Sequence, residues 1–254
     1  MKAKKQFGQN FLHNSSTLEF IANSLYAKPG DTVVEIGGGT GNLTKYLTAI
    51  PEIHLFVIEL DKDCIPILQA IHSHIIHANV LDVDFTFAAR QKVVGNIPYY
   101  ITKPIITHLY QYRTAIISAV LMVQYEVARL LCAHPGESEY SGYSAYVQSF
   151  SRVEFLRKVN KDEFSPQPSI DSAIVQLTFL PDDPEIGDQN KFSDFIFSCF
   201  RQPRKTLMNN LKIHYSSEKI CSVLHEMELR SDIRAEALSS DVLKVLFLNL
   251  RARR

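Results

Sequence analysis

The chain has 254 residues, enough for one large domain or for a domain with a smaller appendage. Its apolar fraction of 46% and charged fraction of 21% are typical of a globular protein with a substantial core. No apolar run approaches the length of a membrane span, and the four cysteines show neither a CxxC pair nor disulfide-framework spacing. Composition therefore favours a cytoplasmic protein without a membrane anchor or disulfide bonds.

Net charge is zero at pH 7, but the charges are unevenly distributed. Residues 201–254 contain eleven Lys and Arg against six Asp and Glu, and the first five residues contain three lysines. Residues 181–200 contain five acids and one lysine. Two basic ends suit contacts with phosphate groups, although an ordinary solvated surface would look the same.

Apolar strands and helical segments alternate along the first half of the chain. Residues 15–27 have helical apolar spacing, with Ser15 or Ser16 as the expected N-cap. Strands are expected within TVVEIG (32–37), HLFVIELD (54–61), IIHANVLDVDF (75–85), QKVVGNIPY (91–99) and AIISAVLMVQ (115–124), and helices within 38–50 and 62–71. This alternation predicts an α/β, Rossmann-like fold with a doubly wound, mostly parallel sheet.

The later part of the chain changes character. SAYVQSF (144–150), VEFLRKVN (153–160) and IDSAIVQLTFL (170–180) are expected to form late antiparallel strands. LPDDPEIGDQNK (180–191) combines two prolines, a glycine and four acids, which indicates a domain boundary. Only helical patterns follow. The sequence therefore predicts a catalytic domain over 1–180 and a small all-α domain over 185–254.

A glycine-rich loop, VVEIGGGTGN (33–42), follows the first predicted strand. The dinucleotide fingerprint G-x-G-x-x-G fails, because its third glycine would fall at Asn42 or Thr44, and this disfavours a nicotinamide dehydrogenase. The remaining pattern is E-x-G-x-G-x-G, starting at Glu35. It lets the backbone at Gly37 and Gly39 approach a ligand closely at a strand-to-helix turn.

An acidic residue, Glu59, ends the second predicted strand, 22 residues after Gly37. A carboxylate in this position is placed to accept hydrogen bonds from two ribose hydroxyls. A nucleoside without a phosphate contact fits this pattern better than NAD, and S-adenosylmethionine is the obvious candidate. The alternative interpretation is a tight turn followed by a surface glutamate.

The fourth predicted strand ends in GNIPY (95–99). The side-chain oxygen of Asn96 and the backbone carbonyl of Ile97 are placed to accept hydrogen bonds from the exocyclic amine of an adenine. Pro98 stiffens the chain, and Tyr99 offers a flat face for stacking on the base. Because a sulfonium is already an activated methyl donor, positioning and electrostatics carry most of such a reaction. The alternative is a strand end that buries a tyrosine.

Five motifs, in the same order along the chain, carry a resemblance to a known family. They are KKQFGQNFLHN (4–14), VIELDKD (57–63), GNIPYYITKPI (95–105), FSPQPSIDSAIVQL (164–177) and FRQPRKTLMNNL (200–211). The chain resembles the ribosomal RNA adenine N6,N6-dimethyltransferases, whose bacterial members modify the 16S RNA of the small subunit. The resemblance implies dimethylation of two adjacent adenosines in the 3′-terminal hairpin of that RNA.

The resemblance also implies roles for individual residues. Residues 1–14 would close over S-adenosylmethionine, and the implied cofactor contacts are Asn10, Leu12, Gly37, Gly39, Glu59, Asn79 and Asn96. The implied catalytic residues are Asn96, Ile97, Pro98, Tyr99 and Phe164. In this scheme Phe164 faces Tyr99, and the two rings hold a flipped adenine between them.

The helical domain and the N-terminus are expected to bind the RNA. The protein is expected to act as a monomer on the small subunit or its assembly precursor. The candidate phosphate contacts are Lys4, Lys5, Arg201, Arg204 and Lys205. No metal is expected, since the histidines of HSHIIH (72–77) have no suitably spaced Cys or acid beside them.

Three positions depart from the family pattern: Asn79 replaces a usual Asp, Tyr100 replaces a common Asn, and Pro203 replaces a usual Arg. Two alternatives stay open. One is a 23S RNA methyltransferase of the antibiotic-resistance type, against which FRQPRKTLMNNL argues. The other is a non-catalytic ribosome-assembly protein on the same fold, which Asn79 keeps open.

Overall fold

The computed structural model describes residue 4 and residues 8–252, and these form two compact units. The first unit comprises the chain up to residue 128 together with residues 152–181. The second comprises residues 129–151 and the chain from residue 182. The sequence predicts a helical domain over 185–254, whereas the second unit of the structure also contains residues 129–151.

The strands of the described chain fall into two sheets. They are β1 (Phe11–Leu12), β2 (Thr32–Ile36), β3 (His54–Glu59), β4 (Ile75–His77), β5 (Gln91–Asn96), β6 (Ile116–Gln124), β7 (Ser151–Val159), β8 (Phe164–Ser165) and β9 (Ser172–Phe179). β1 pairs with β8, and the other strands form one sheet in the order β4-β3-β2-β5-β6-β9-β7. β2 to β6 run parallel, and β9 runs antiparallel to β6. The predicted doubly wound, mostly parallel sheet is confirmed.

Helices flank these strands and make up most of the second unit. The α-helices are α1 (Ser15–Ser24), α2 (Asn42–Thr48), α3 (Ile65–Gln69), α4 (Thr102–Gln111), α5 (Tyr125–Cys132), α6 (Gly142–Phe150), α7 (Gln189–Cys199), α8 (Leu207–Leu211), α9 (Ser217–Glu226) and α10 (Ser240–Ala252). The helical patterns predicted after residue 185 are confirmed by α7 to α10.

One predicted strand is wrong: residues 144–150 lie in helix α6. The helix begins with a capping box, in which the Ser141 side chain accepts from the backbone N–H of Ser144 and the Ser144 side chain accepts from the backbone of Ser141. A capping box satisfies backbone donors at a helix start, and this pairing overrides the weak alternation of SAYVQSF. The cap of α1 also differs from expectation, since Asn14 caps that helix in place of Ser15 or Ser16.

The central strands are buried on both faces, as the continuous apolar runs require. Val33, Val34, Val93 and Val94 are fully buried. Because β2, β3 and β5 are parallel, their carboxyl ends meet at one edge of the sheet. The glycine loop, Glu59 and Asn96 follow or end these strands, so the fold brings the predicted site residues to one place.

Gly95 of β5 lies opposite Ile36 of β2. A Cβ atom at Gly95 would lie 2.6 Å from the backbone oxygen of Ile36 and 3.2 Å from its Cβ atom. Gly95→Ala is therefore expected to push the two strands apart and to lower the free energy of unfolding by about 1–3 kcal/mol. Urea unfolding would measure this loss. An unfolding free energy of Gly95→Ala equal to that of wild type would contradict the steric explanation.

No helix in the described part of the chain is long and apolar enough to cross a membrane.

Candidate active site at the carboxyl edge of the sheet

A cleft opens at the carboxyl ends of β2, β3 and β5. Its walls include the glycine loop, the end of β3, the GNIPY segment and residues 8–12 of the N-terminal segment. The cleft brings together all the predicted cofactor contacts: Asn10, Leu12, Gly37, Gly39, Glu59, Asn79 and Asn96. Ile97, Pro98 and Tyr99 also line it.

The glycine loop lines the cleft with a backbone conformation that residues other than glycine rarely adopt. Gly37, Gly39 and Gly41 have φ values of +75°, +53° and +76°, a region that favours glycine because it lacks a Cβ atom. A Cβ atom at Gly39 would lie 3.0 Å from the Phe11 ring, and one at Gly37 would lie 3.8 Å from the backbone oxygen of Asn96. The loop therefore faces both the N-terminal segment and the end of β5.

Glu59 accepts backbone N–H groups with both of its carboxylate oxygens, one from the glycine loop and one from the residue 61 backbone just after β3. Oε2 accepts from the backbone N–H of Gly39 at 2.8 Å, and Oε1 accepts from the backbone N–H of Asp61 at 2.7 Å. The side chain is buried, yet it still lines the cleft. Since each carboxylate oxygen has two acceptor directions, Glu59 retains capacity to accept from hydroxyl groups of a ligand.

Glu35 is a second acid at the cleft, and burial raises its pKa into the neutral range. It is 1% exposed, and the Thr44 hydroxyl donates to its Oε2 at 2.7 Å. Burial raises the pKa of Glu35 to about 7; the Thr44 hydrogen bond lowers it and the Glu59 charge raises it further. Burial therefore favours the protonated form of Glu35.

Glu35→Gln tests this charge state through stability. The unfolded side chain ionises near 4.5 and the folded one near 7, so wild-type stability falls as the pH rises between these values. Because glutamine resembles the neutral acid and keeps an acceptor for Thr44, the variant escapes this loss. We expect the unfolding free energy of Glu35→Gln, expressed as a difference from wild type, to be ~2 kcal/mol higher at pH 8 than at pH 5. Urea unfolding of both proteins, with the exposed Glu19→Gln as control, would measure it; a pH-independent difference would contradict it.

Asn96 is oriented by the N-terminal segment. Its Nδ2 donates to the backbone oxygen of Asn10 at 2.9 Å. This contact turns the amide so that Oδ1 is left as an acceptor at the cleft. Among the described residues, no donor is bonded to Asn96 Oδ1 or to the carbonyl of Ile97. The two acceptors predicted for an adenine amine are therefore both available.

Tyr99 forms one wall beside these acceptors. It is half-buried, and its hydroxyl lies 2.6 Å from Ser172 Oγ. Burial raises the pKa of the phenol, and the hydrogen bond with Ser172 opposes this effect without cancelling it. Tyr99 is thus a neutral, fixed ring, suited to packing and unsuited to acting as a base near neutral pH.

The N-terminal segment is held over the cleft by contacts from several elements. β1 pairs with β8, with Leu12 opposite Phe164. Asn42 Nδ2 donates to the backbone oxygen of Leu12 at 2.8 Å, and Gln9 Nε2 donates to Asp61 at 2.9 Å. These contacts keep residues 8–12 on the wall of the cleft, as the predicted closing segment requires. Residues 1–3 and 5–7 of the predicted segment, including Lys5, lie outside the described residues.

Lys4 has a different setting from the one predicted. Its ammonium group lies 2.6 Å from a carboxylate oxygen of Asp61 and 2.6 Å from one of Asp63. Burial alone would raise the pKa of Asp61, but hydrogen bonds from Lys4 and Gln9 hold it below its ordinary value. A lysine neutralised by two acids has little charge to offer a phosphate, so we assign Lys4 to fastening the N-terminal segment beside β3.

Phe164 is not brought to the cleft. It is 3% exposed and packs in a hydrophobic cluster with residues such as Leu12, Leu18 and Ile174. Its ring packs in this cluster at the β1–β8 pair, and Phe164 is not among the residues that line the cleft with Tyr99. The arrangement of Tyr99 and Phe164 around a flipped base stays a prediction.

Sequence reasoning missed two residues that the structure places at the site. Leu60 lines the cleft directly after Glu59 and is 43% exposed, which is unusual for a leucine beside a buried strand. Asp61 is 1% exposed and connects Gln9 and Lys4 to the end of β3. Leu60 could have been found from its position, since an apolar residue after the acid offers a surface for a base. Nothing local to Asp61 indicates its partners.

The second unit presents a basic pocket between α7 and α8. Arg201, Lys205 and Lys212 line it, whereas Arg204 is exposed nearby in the same loop. The loop is held by the buried Asn210, whose amide donates to the backbone oxygen of Cys199 at 2.8 Å. Three cations and no acid line this pocket, which is the electrostatic character that a phosphate requires. Within the described residues, no group of three or more His, Cys, Asp or Glu is placed to hold a metal.

Comparison with known proteins identifies the family of the chain. Residues 1–247 match the model of the ribosomal RNA adenine dimethylase family. The chain belongs to this family. A curated relative, the ribosomal RNA small subunit methyltransferase A of Chlorobium chlorochromatii (strain CaD3), is 41% identical over 252 residues, which cover 96% of this chain and 92% of the relative.

Two solved structures resemble the dimethylase closely. A dimethyladenosine transferase from Plasmodium falciparum is 26% identical and has a TM-score of 0.79, covering 92% of this chain and 95% of that one. The 23S rRNA methyltransferase ErmE has a TM-score of 0.76 over 95% of this chain and all of its own, but at 24% identity it shows the shared fold alone.

These matches confirm the family, the Rossmann-like methyltransferase fold and the dependence on S-adenosylmethionine that the sequence motifs implied. The dimethylase is therefore an enzyme that acts on ribosomal RNA. The residues of the cleft fit this cofactor, since a glycine-lined turn, a buried acceptor at Glu59 and the exposed Leu60 lie beside one another. The roles of individual residues remain proposals.

Proposed function

We propose that this dimethylase transfers two methyl groups to N6 of each of two adjacent adenosines in the 3′-terminal hairpin of 16S rRNA. Its substrate would be the small ribosomal subunit or an assembly precursor, in the cytoplasm, and the enzyme would act as a monomer. The family match over residues 1–247 supports the reaction. The relatives are named ribosomal RNA small subunit methyltransferase A, which supports the small subunit as the substrate.

The observation that carries this proposal is the pair of open acceptors at the end of β5. Asn96 and Ile97 line the cleft, and among the described residues no donor is bonded to Asn96 Oδ1 or to the Ile97 carbonyl, while Nδ2 of Asn96 is fixed by Asn10. An adenine amine carries two N–H groups, and two acceptors would hold both. They would also favour the geometry in which the nitrogen lone pair is available, because hydrogen bonds to the N–H groups draw electron density onto the nitrogen.

The cofactor supplies an activated methyl group and is expected to lie between the glycine loop and Glu59. Glu59 would accept from ribose hydroxyls, and Leu60 would pack on the base. Asn79 would reach the same base, but its Oδ1 already accepts from the backbone N–H of Leu81 at 3.2 Å. Residues 8–12 would cover the bound molecule and exclude water.

Tyr99 would pack against the target base. The amine of that base would lose its proton after methyl transfer, because methylation makes the amine acidic.

RNA recognition would rest on phosphate contacts in the second unit. Arg201 and Lys205 line the basic pocket there, and Arg204 adds an exposed cation in the same loop. Lys212 extends the predicted set. Contacts of this kind position the RNA through its shape and charge and carry little sequence information.

Radiolabelled S-adenosylmethionine with unmethylated small subunits, large subunits and free RNA would test the proposal. We expect label in small-subunit RNA, recovered as N6,N6-dimethyladenosine. Label confined to large subunits would move the enzyme to the 23S-modifying group. No label in any substrate, with cofactor binding intact by calorimetry, would instead indicate a ribosome-assembly protein that binds RNA without catalysis.

A further inference from the structure

Tyr100, the residue after the catalytic motif, has a setting that the methyl-transfer chemistry does not explain. It lies in a 3-10 turn, Tyr99–Ile101, in which consecutive side chains point roughly 120° apart. Tyr99 therefore turns inward to Ser172, whereas Tyr100 turns outward. Tyr100 is 60% exposed and still lines the cleft.

The ring of Tyr100 rests on the N-terminal segment. A Cβ atom at Gly8 would lie 3.2 Å from both Cδ1 and Cε1 of the ring. Gly8 has a φ of +60°, and its missing side chain lets the ring lie against backbone. One side of the ring is thus supported, and the large exposed fraction belongs to the rest of the ring.

The exposed apolar residues of the cleft divide between its two ends. Among the large apolar side chains that the described chain exposes, Leu60 and Tyr100 are the two that line the cleft. Leu60 follows Glu59 and belongs to the end where the cofactor is expected. Tyr100 lies four residues after Asn96 and belongs to the end where the target amine is expected.

A target adenosine that enters the cleft leaves the stack of its strand, so its neighbour loses a stacking partner. Proteins recognise unstacked RNA by offering aromatic rings to splayed bases. A supported ring at the mouth of the cleft, next to the acceptors for the target amine, meets this need.

We propose that Tyr100 is the stacking platform for the nucleotide adjacent to the target adenosine. This inference rests on the proposed function, because it needs an RNA adenosine in the cleft. It assigns to Tyr100 a substrate contact that is separate from the amine acceptors. It also accounts for an aromatic residue with an exposed ring at this rim.

Four variants test the platform: Tyr100→Phe, Tyr100→Leu, Tyr100→Ala and the control Tyr26→Ala. Phe keeps the flat ring, and Leu keeps an apolar contact with Gly8 but offers no aromatic face. Tyr26 is 74% exposed, and its carbonyl accepts from Lys92 at 2.6 Å, near the amino end of β5 and away from Asn96. The control therefore removes the same exposed ring at the opposite edge of the sheet.

The readouts are KM for unmethylated small subunits, kcat, cofactor affinity by calorimetry, and the dependence of KM on salt. Base–aromatic stacking is worth about 1–3 kcal/mol, so Tyr100→Ala and Tyr100→Leu should raise KM about 5-fold to 100-fold. Tyr100→Phe and Tyr26→Ala should stay within about twofold of wild type. The salt slope should not change, since no phosphate contact is lost.

Two results would overturn the proposal that Tyr100 is a stacking platform. One is a KM for Tyr100→Ala equal to that of Tyr26→Ala. The other is a loss of cofactor affinity in Tyr100→Ala that Tyr100→Leu restores, which would make the ring a support for Gly8. Failure of the proposed function is a separate outcome, because wild-type enzyme would then leave small subunits unlabelled.

Discussion

Asn96→Ala is expected to lower kcat for methyl transfer about 10²–10³-fold at saturating cofactor. The substitution removes Oδ1, one of the two acceptors at the end of β5, and preorganised hydrogen-bonding groups of this kind typically contribute effects of this size. It also removes the Nδ2 contact with the backbone oxygen of Asn10. A single variant therefore mixes an effect on the amine with an effect on the N-terminal segment.

Asn42→Ala separates these two effects. Asn42 also donates from Nδ2 to the backbone of the segment, at 2.8 Å to the oxygen of Leu12, but offers no acceptor to the target amine. Loss of one such hydrogen bond should weaken cofactor affinity by about 2-fold to 10-fold. We expect kcat of Asn42→Ala to stay near wild type. Single-turnover rates and calorimetry would compare the variants, and an equal fall of kcat in both would contradict the acceptor role of Asn96.

The positions at the carboxyl edge were predictable because local rules determine them. Parallel strands bring their ends to one edge, so Gly37, Glu59 and Asn96 had to lie close together once the strands were recognised. The strands themselves are continuous apolar runs bounded by turns. Local pattern was therefore sufficient to place the cofactor half of the cleft.

Lys4 and Phe164 could not be placed in this way. Lys4 is paired with acids almost sixty positions further along the chain, and Phe164 is buried because Leu12 lies opposite it in the β1–β8 pair. Both contacts join segments that are remote in sequence. A charged residue in a basic N-terminus and an aromatic residue in a family motif carry no local sign of such partners.

The predicted second domain, 185–254, lacks residues 129–151 for a related reason. Residues 129–151 precede three strands, β7, β8 and β9, that lie in the first unit, so the chain leaves the first unit and returns to it. The linker-like composition of residues 180–191 marks only the third crossing between the units. Tertiary contacts within the second unit, such as the 2.8 Å bond from the Gly136 N–H to the Glu236 oxygen, are what assign the earlier segment.

Glu59→Gln is expected to weaken S-adenosylmethionine binding about 10²-fold, although the two side chains have nearly the same shape. Both carboxylate oxygens accept backbone N–H groups, from Gly39 and from Asp61. A glutamine has one oxygen, so its NH₂ group must face one of these donors and leave it unpaired. Hydrogen bonds to charged groups are worth about 1.5–3 kcal/mol each, and either the glycine loop at Gly39 or the backbone at Asp61 would lose its contact with residue 59.

Glu59→Gln should also lower the unfolding free energy, since a buried N–H without an acceptor costs about 1–3 kcal/mol. The exposed Glu19→Gln on α1 controls for the loss of one negative charge. Calorimetric titration with S-adenosylhomocysteine and urea unfolding would measure the two effects independently. If stability fell while affinity held, Glu59 would serve only to anchor the glycine loop, and the ribose hydroxyls would need another acceptor. If both fell together, the same carboxylate would shape the loop and bind the cofactor, which is the arrangement that its two backbone contacts and its place in the cleft favour.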